Sequence, residues 1–246
     1  MVGSGCGAGN GNRTRELCLG STHFTPKLYL HMVIYYFLCY VITKIEILQQ
    51  NCGKGIKNIM AKFVNKKSCY IGKNVKIGKN VVIHANNHIG DNVEICDNVT
   101  LLPNNVIEGA VIKNGASVGP FARIRPNSVI GENCKIGNFV EIKNSVIGCG
   151  CKISHLAYVG DVQMGADCNI GCGVIFANYD GKNKHKTKLG DHVFVGSNCN
   201  IIAPVQIEDG SYICAGTTVV QNVKAGDFVI GRVRQENKAE KAKKYW

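Results

Sequence analysis

From Ile71 to Val219 an apolar residue recurs at almost every sixth position, and no other feature of the chain constrains its fold so tightly. The series begins Ile71, Ile77, Ile83, Ile89, Ile95, Leu101 and Ile107. A five-residue step leads to Ile112, and the six-residue step returns through Val118, Ile124, Ile130, Ile136 and Ile142. Mixed steps of five and six then pass through Ile147, Ile153, Val159, Met164 and Ile170. After an interruption the phase resumes at Leu189 and runs through Val195, Ile201, Ile207 and Ile213. Glycine often follows the apolar residue, and Val, Ala, Ser or Cys sits four positions along. A period of six is neither the 3.6 of a helix nor the 2 of a half-buried strand. It fits short strands joined by turns, with three hexapeptides closing one triangular coil. The apolar residue points inward and stacks on the coil below, while Gly and Asn supply turn conformations with positive φ. At roughly eighteen residues per coil the run makes about eight or nine coils. The pattern predicts an all-β chain built as a parallel β-helix.

The composition agrees. Of 246 residues 45% are hydrophobic, few are aromatic, and Gly is plentiful. The net charge of +12 favours anionic partners. No run of Lys and Arg interleaved with aromatic residues is present, which argues against nucleic acid. Thirteen cysteines raise the question of disulfides or zinc, but no C-x-x-C pair is matched by a second. Cys134, Cys151, Cys168 and Cys199 share one position of the repeat, where a small buried side chain is wanted. Reduced core cysteines point to a reducing cytoplasm.

Three regions follow. Residues 1–67 form an N-terminal extension, expected to be poorly ordered or in part a short helix. Its Gly-rich opening, GSGCGAGNGNR, follows no strand and lacks the Lys-Ser/Thr of a phosphate loop. It looks like sequence read through from upstream of a natural start. The apolar run 28–42 falls short of the roughly 20 residues of a membrane span, and no small-residue cleavage site follows it. Membrane contact is the minor reading for it. Residues 68–230 are the β-helix, and residues 231–246 a basic tail.

The stretch Phe121 to Lys188 departs from the plain repeat. It reads FARIRP, NFVEIK, SHLAYVGD, NIGCG and ANYDGKNKHKT, adding cations, a histidine and a polar excursion that stacking does not require. With these motifs in view, residues of about 70 to 235 resemble the acetyltransferase domain of the bifunctional N-acetylglucosamine-1-phosphate uridyltransferase/glucosamine-1-phosphate acetyltransferase family. The resemblance implies a left-handed β-helix that forms a homotrimer with sites between subunits. It also implies acetyl transfer from acetyl-CoA to glucosamine-1-phosphate in cytoplasmic UDP-N-acetylglucosamine and cell-wall precursor synthesis.

Acetyl transfer to an amine needs the free amine, and a positioned imidazole is the natural base. His155 lies in the segment that resembles the base-bearing motif; on spacing alone it would be a surface turn residue. Arg125, Lys143 and Lys184 match the positions that hold the sugar phosphate, where Arg125 offers a planar fork and the lysines point charges. Without the motif they would read as solvated corner charges. Tyr158 and Asn169 match the groups that hold the sugar. Residues 177–188 break the phase, as loops on the binding face of a solenoid do. By resemblance Asn178 and Tyr179 contact acetyl-CoA, and Lys184 is offered to a neighbouring subunit's site. Cys172, Ser197 and Ala215 match further cofactor positions, with Cys172 in place of the more usual Ala. Arg232 matches the residue that meets the coenzyme phosphates. The chemistry needs no metal. His84, His88, His185 and His192 read as turn or surface residues.

The residues before Ile71 are too few for the family's uridyltransferase half and carry no nucleotide loop. Uridyl transfer is therefore not expected from this chain, and a separate protein would supply it. The alternatives are a hexapeptide acyltransferase with another amine acceptor, or an inactive scaffolding β-helix.

Overall fold

The computed structural model describes residues 61–246, so the expectations for 1–60, the apolar run 28–42 included, lie outside the described residues. Every strand pairing between named strands is parallel, one coil to the next. Each apolar residue of the period up to Ile170 and again from Leu189 stands inside a strand, and from Ile83 onward all of them are buried. Full burial of such a side chain stabilises by about 1.5–3 kcal/mol, and the column of them is the core.

Three strands per coil give three faces. On the first face the outward positions stack as Ser117, Lys135, Lys152, Asn169, Phe194, Tyr212 and Phe228. On the second they stack as Val106, Arg123, Glu141, Tyr158, Ile175 and Asn200. The third is a separate eight-stranded sheet from Lys76–Ile77 to Gln206–Ile207. The strands Lys135–Lys143 and Lys152–Gly160 pass unbroken through the corner between the first and second faces, joining these two faces into one seventeen-stranded sheet.

The small position two residues before each core residue holds Cys134, Cys151 and Cys168 in successive coils, all buried and free. Their thiols donate to the carbonyls of Gly148 (2.9 Å), Gly165 (3.1 Å) and Gly190 (3.1 Å). The Cys134 sulfur beside it pushes the Cys151 thiol up to about 12. Cys168 is raised likewise, with Cys151 the main cause, while the hydrogen bond with Cys151 lowers Cys134.

Most corners turn on a residue with positive φ, and Asn74, Asn80, Asn86, Asn92, Asn98 and Asn104 supply six in a row. At the corner between the first and second faces, however, three successive coils use Phe121 (φ 58), Phe139 (φ 57) and Leu156 (φ 38). A bulky residue held there stores about 1–3 kcal/mol of strain.

The pairing starts earlier than the period predicts. Lys62–Phe63 pairs with Val82–Ile83, ahead of both Ile71 and the boundary at 68. A 3-10 turn at Lys66–Ser68 lengthens the step from Phe63 to Ile71, which hides this strand from a count of sixes. At the other end Phe228–Val229 still pairs with Tyr212–Ile213, and beyond it the chain is exposed, with a 3-10 turn at Lys241–Tyr245. Among the described residues no helix is long and apolar enough to cross a membrane.

Backbones of adjacent coils approach so closely that some positions admit no Cβ. One added at Gly196 would lie 2.4 Å from the Ala215 nitrogen. Gly196→Ala should therefore lower stability by about 1–3 kcal/mol in urea titration, because rigid backbone must move.

Candidate active site

His155 sits where the Lys152–Gly160 strand rounds the corner, in register with Asn138 of the preceding coil. Its Nδ1 lies 2.8 Å from Asn138 Oδ1. A carbonyl oxygen only accepts, so Nδ1 carries the hydrogen and Nε2 keeps its lone pair for an incoming proton. The imidazole is exposed, as a base that must meet a ligand has to be.

Below His155 the same corner position is occupied coil by coil by Cys172, Ser197 and Ala215. Backbone bonds of 2.8 Å fix this register: Gly173 to the Leu156 carbonyl, Asn198 to that of Cys172, Gly216 to that of Ser197. At about 4.8 Å per coil the column runs roughly 14 Å from His155 to Ala215. Arg232 closes it, its Nη1 donating to the Ala215 carbonyl at 2.8 Å. A column of small exposed side chains with a base at one end and a guanidinium at the other can seat a thin chain that ends in phosphate.

The cations gather at the opposite edge of the second face. Arg125 donates to Glu141 across one coil at 2.9 Å, which fixes its fork while both side chains remain about one-third exposed. The Lys184 ammonium beside Lys143 holds the Lys143 amine below its usual range, with partial desolvation and Arg125 acting the same way and Asp161 opposing. Three positive groups thus crowd one spot, a state that an anion would relieve.

The loop that brings Lys184 there is a hairpin, with Tyr179 and Lys184 bridged antiparallel and His185 N donating to the Asn178 carbonyl at 2.8 Å. Asp180 braces it, accepting from the backbone of Asn183 (2.7 Å) and Lys182 (2.8 Å) and pairing with His185 (2.7 Å). Those donors, Asn183 first, hold its carboxyl well below the usual range. Both ends of the loop are tied to Asp161. Its side chain accepts from Asn178 and, at 2.5 Å, from Asn144, and its carbonyl accepts from Thr187 N at 3.2 Å.

The structure therefore brings together two groups of the residues named from sequence. His155, Cys172, Ser197, Ala215 and Arg232 line one corner; Arg125, Lys143 and Lys184 cluster at another. Lys184 stands on the hairpin beside Lys143 of its own chain. Tyr158 lies on the second face between these groups, and Asn169 on the first face. Asn178 and Tyr179 stand at the far corner, apart from the Cys172 column, and the Tyr179 hydroxyl donates to the Gly181 carbonyl at 2.6 Å. Asn138, Glu141 and Asp161 were not singled out, although NFVEIK and the final Asp of SHLAYVGD carry them.

Fold and period define the described chain as a hexapeptide-repeat β-helix. Residues 74–109 and 186–221 match the family described as bacterial transferase hexapeptide (six repeats), and residues 106–180 match the GMPPB C-terminal domain. The particular likeness is to the bifunctional protein GlmU. The chain is 58% identical over 119 residues to that of Alkaliphilus oremlandii, covering 48% of this chain and 26% of the relative. Identity is 56% over 125 residues to that of Limosilactobacillus reuteri (51% and 28%) and 45% over 130 residues to that of Pseudomonas syringae pv. syringae (53% and 29%). The chain thus spans less than a third of the length of these relatives. Among solved structures, UDP-N-acetylglucosamine acyltransferase from Campylobacter jejuni aligns at 18% identity and TM-score 0.46, over 67% of this chain and 69% of that one.

Two outcomes follow from the loop. Asp161→Ala leaves the buried Asn178 amide unpaired and should lower stability by about 1–3 kcal/mol in urea titration. Asp180→Ala should open the hairpin and speed tryptic cleavage after Lys182, Lys184 and Lys186 with little change in melting temperature, since the loop lies outside the core.

Proposed function

We propose that this chain transfers the acetyl group of acetyl-CoA to the amine of glucosamine-1-phosphate, giving N-acetylglucosamine-1-phosphate for UDP-N-acetylglucosamine and cell-wall synthesis. The observation that carries the reading is the corner column: an oriented imidazole heading small side chains that lead to Arg232. The cation cluster on the adjoining face supports it, since a sugar 1-phosphate brings close to two negative charges.

In the proposed reaction His155 Nε2 takes the proton of the amine as its nitrogen attacks the thioester carbonyl. The C–N bond forms, the C–S bond breaks, and the imidazolium returns the proton to the departing thiolate. Arg125, Lys143 and Lys184 hold the phosphate, and Tyr158 and Asn169 the sugar. Cys172, Ser197 and Ala215 flank the pantetheine arm, Arg232 meets the coenzyme phosphates, and Asn178 and Tyr179 make further contacts with the donor. The active unit is a homotrimer. Free cysteines throughout the described residues fit a reducing cytoplasm.

Two substitutions should fail differently in an assay of thiol release from acetyl-CoA. His155→Ala should lower kcat by about 10²–10⁴ with little change in KM, and higher pH should partly rescue it by supplying more free amine. Near-normal kcat at neutral pH would refute the base. Lys143→Met should raise KM for glucosamine-1-phosphate, spare KM for acetyl-CoA, and leave the melting temperature equal or higher. The sign follows from the lowered Lys143 pKa. Folded chain binds that proton less readily than unfolded chain, so this charge opposes folding below the ordinary 10.5, and stability rises as it is lost with increasing pH. A drop in melting temperature would show that Lys143 is structural.

A further inference from the structure

Glycine weakens a strand, so each one inside the coils wants a reason. For many the reason is the neighbouring coil. A Cβ added at Gly131, Gly148, Gly171 or Gly196 would strike main-chain atoms of the next coil at 2.3–2.6 Å. Gly160, the last residue of the Lys152–Gly160 strand, is different. Its φ lies outside the left-handed region, so the backbone conformation does not call for glycine. A Cβ there would first meet the Tyr158 hydroxyl at 2.6 Å, Asn178 Nδ2 at 2.7 Å and Tyr158 Cε1 at 2.8 Å. All three atoms belong to side chains, and both side chains are among the residues read as holding the substrates.

The strand explains how this comes about. Val159 points into the core, so Tyr158 and Gly160, two positions apart, share the outer side of the second face. A side chain at 160 would stand between the Tyr158 ring and the corner of the cations. With none, the ring lies along the strand and covers Gly160, which is buried. The hydroxyl is thereby carried away from the corner of His155. It ends at the level of Lys143, which is in register with Gly160 one coil away. There it stands beside the Asn178 amide, which Asp161 holds in place. A ring lifted off Gly160 would instead project into the space over the second face, where the sugar is read to lie.

We propose that Gly160 is a positioning residue for the acceptor: carrying no side chain, it seats the Tyr158 ring along the face and sets its hydroxyl beside the cations. This rests on the acetyltransferase reading and deepens it. It adds a residue that the motifs did not single out, although SHLAYVGD contains it.

Gly160→Ala is the direct test. The atoms it displaces are the far ends of two side chains, so the variant should fold with unchanged circular dichroism. Its kcat/KM for glucosamine-1-phosphate should fall about 10- to 100-fold, chiefly through KM, while KM for acetyl-CoA stays within about two-fold of wild type. An unchanged acceptor KM, or a rise confined to acetyl-CoA, overturns the proposal. The added methyl also presses on Asn178, and a double-mutant cycle separates the two contacts. In a Tyr158→Ala background no ring is left to displace. There Gly160→Ala should change kcat/KM, read well below saturation, by less than about two-fold. A full-sized fall in that background places the effect at Asn178 and overturns the proposal.

Should Gly160→Ala fail to fold, proton NMR of the full wild-type chain decides. With only Tyr and Gly protonated, a cross-peak is expected between the Tyr158 ε protons and the Gly160 α protons, and it should vanish in Tyr158→Phe chain carrying deuterated Phe. Its absence from wild type overturns the proposal. If the cross-peak is present but no thiol is released from acetyl-CoA with glucosamine-1-phosphate, the reaction assignment fails and the seating of the ring stands.

Discussion

Everything in this molecule depends on how closely one coil lies on the next. Parallel strands about 4.8 Å apart leave no room for error in what points inward. An aliphatic column fills the interior, small side chains such as Cys134 and Cys151 fill the corners of the prism, and glycine is required where a Cβ would strike the neighbouring backbone. The same spacing governs the outside. A residue at any outward position joins a column with fixed step and direction, so a single substitution per coil is enough to build an extended binding track. The run His155, Cys172, Ser197 and Ala215 is a column of this kind, and its register is inherited from the core rather than from any loop.

The cation cluster works against that economy. Lys143 and Lys184 repel each other beside Arg125, and Glu141 offsets only part of the charge. The arrangement is kept by anchoring what would otherwise spring apart. Asp161 ties both ends of the hairpin, and Asp180 braces its tip. Asp161 stands in the left-handed region itself, with φ 55, so the anchor is a strained residue that is buried and bonded on both carboxylate oxygens. Local repulsion is thus held in a rigid frame that keeps three cations together.

How much of this could be read beforehand follows from what repeats. The period named the aliphatic column of the core, Phe176 excepted, and with it the strand order, since a solenoid pairs each strand only with its equivalents one coil away. Phe63 escaped because a 3-10 turn changes the spacing before Ile71. The candidate site residues were named from motifs, yet how the fold groups them was not legible. Whether an outward residue falls on a face or at a corner depends on where the five-residue steps and the unbroken strands place it, and Asn169 shows this. It stands one coil below the level of Tyr158, in the same patch of sequence, and emerges on a different face. Asp161 was hidden for another reason: its partners Asn144, Asn178 and Thr187 are brought to it only by the fold.

A triangular prism is convex at every corner and flat on every face, so it has no cleft of its own. A site for a small ligand must be completed by something added to the prism. At the corner between the second and third faces the addition is the hairpin 178–186, which folds back to set Lys184 against Lys143. At the corner between the first and second faces no such loop exists, because Lys135–Lys143 and Lys152–Gly160 pass straight through it. There the chain exposes Phe121, Phe139 and Leu156 at positive φ, where other coils place Asn or Gly. The two corners thus differ in build, one carrying an inserted hairpin and the other exposed apolar side chains. The His155 imidazole lies exposed on the corner that no loop covers.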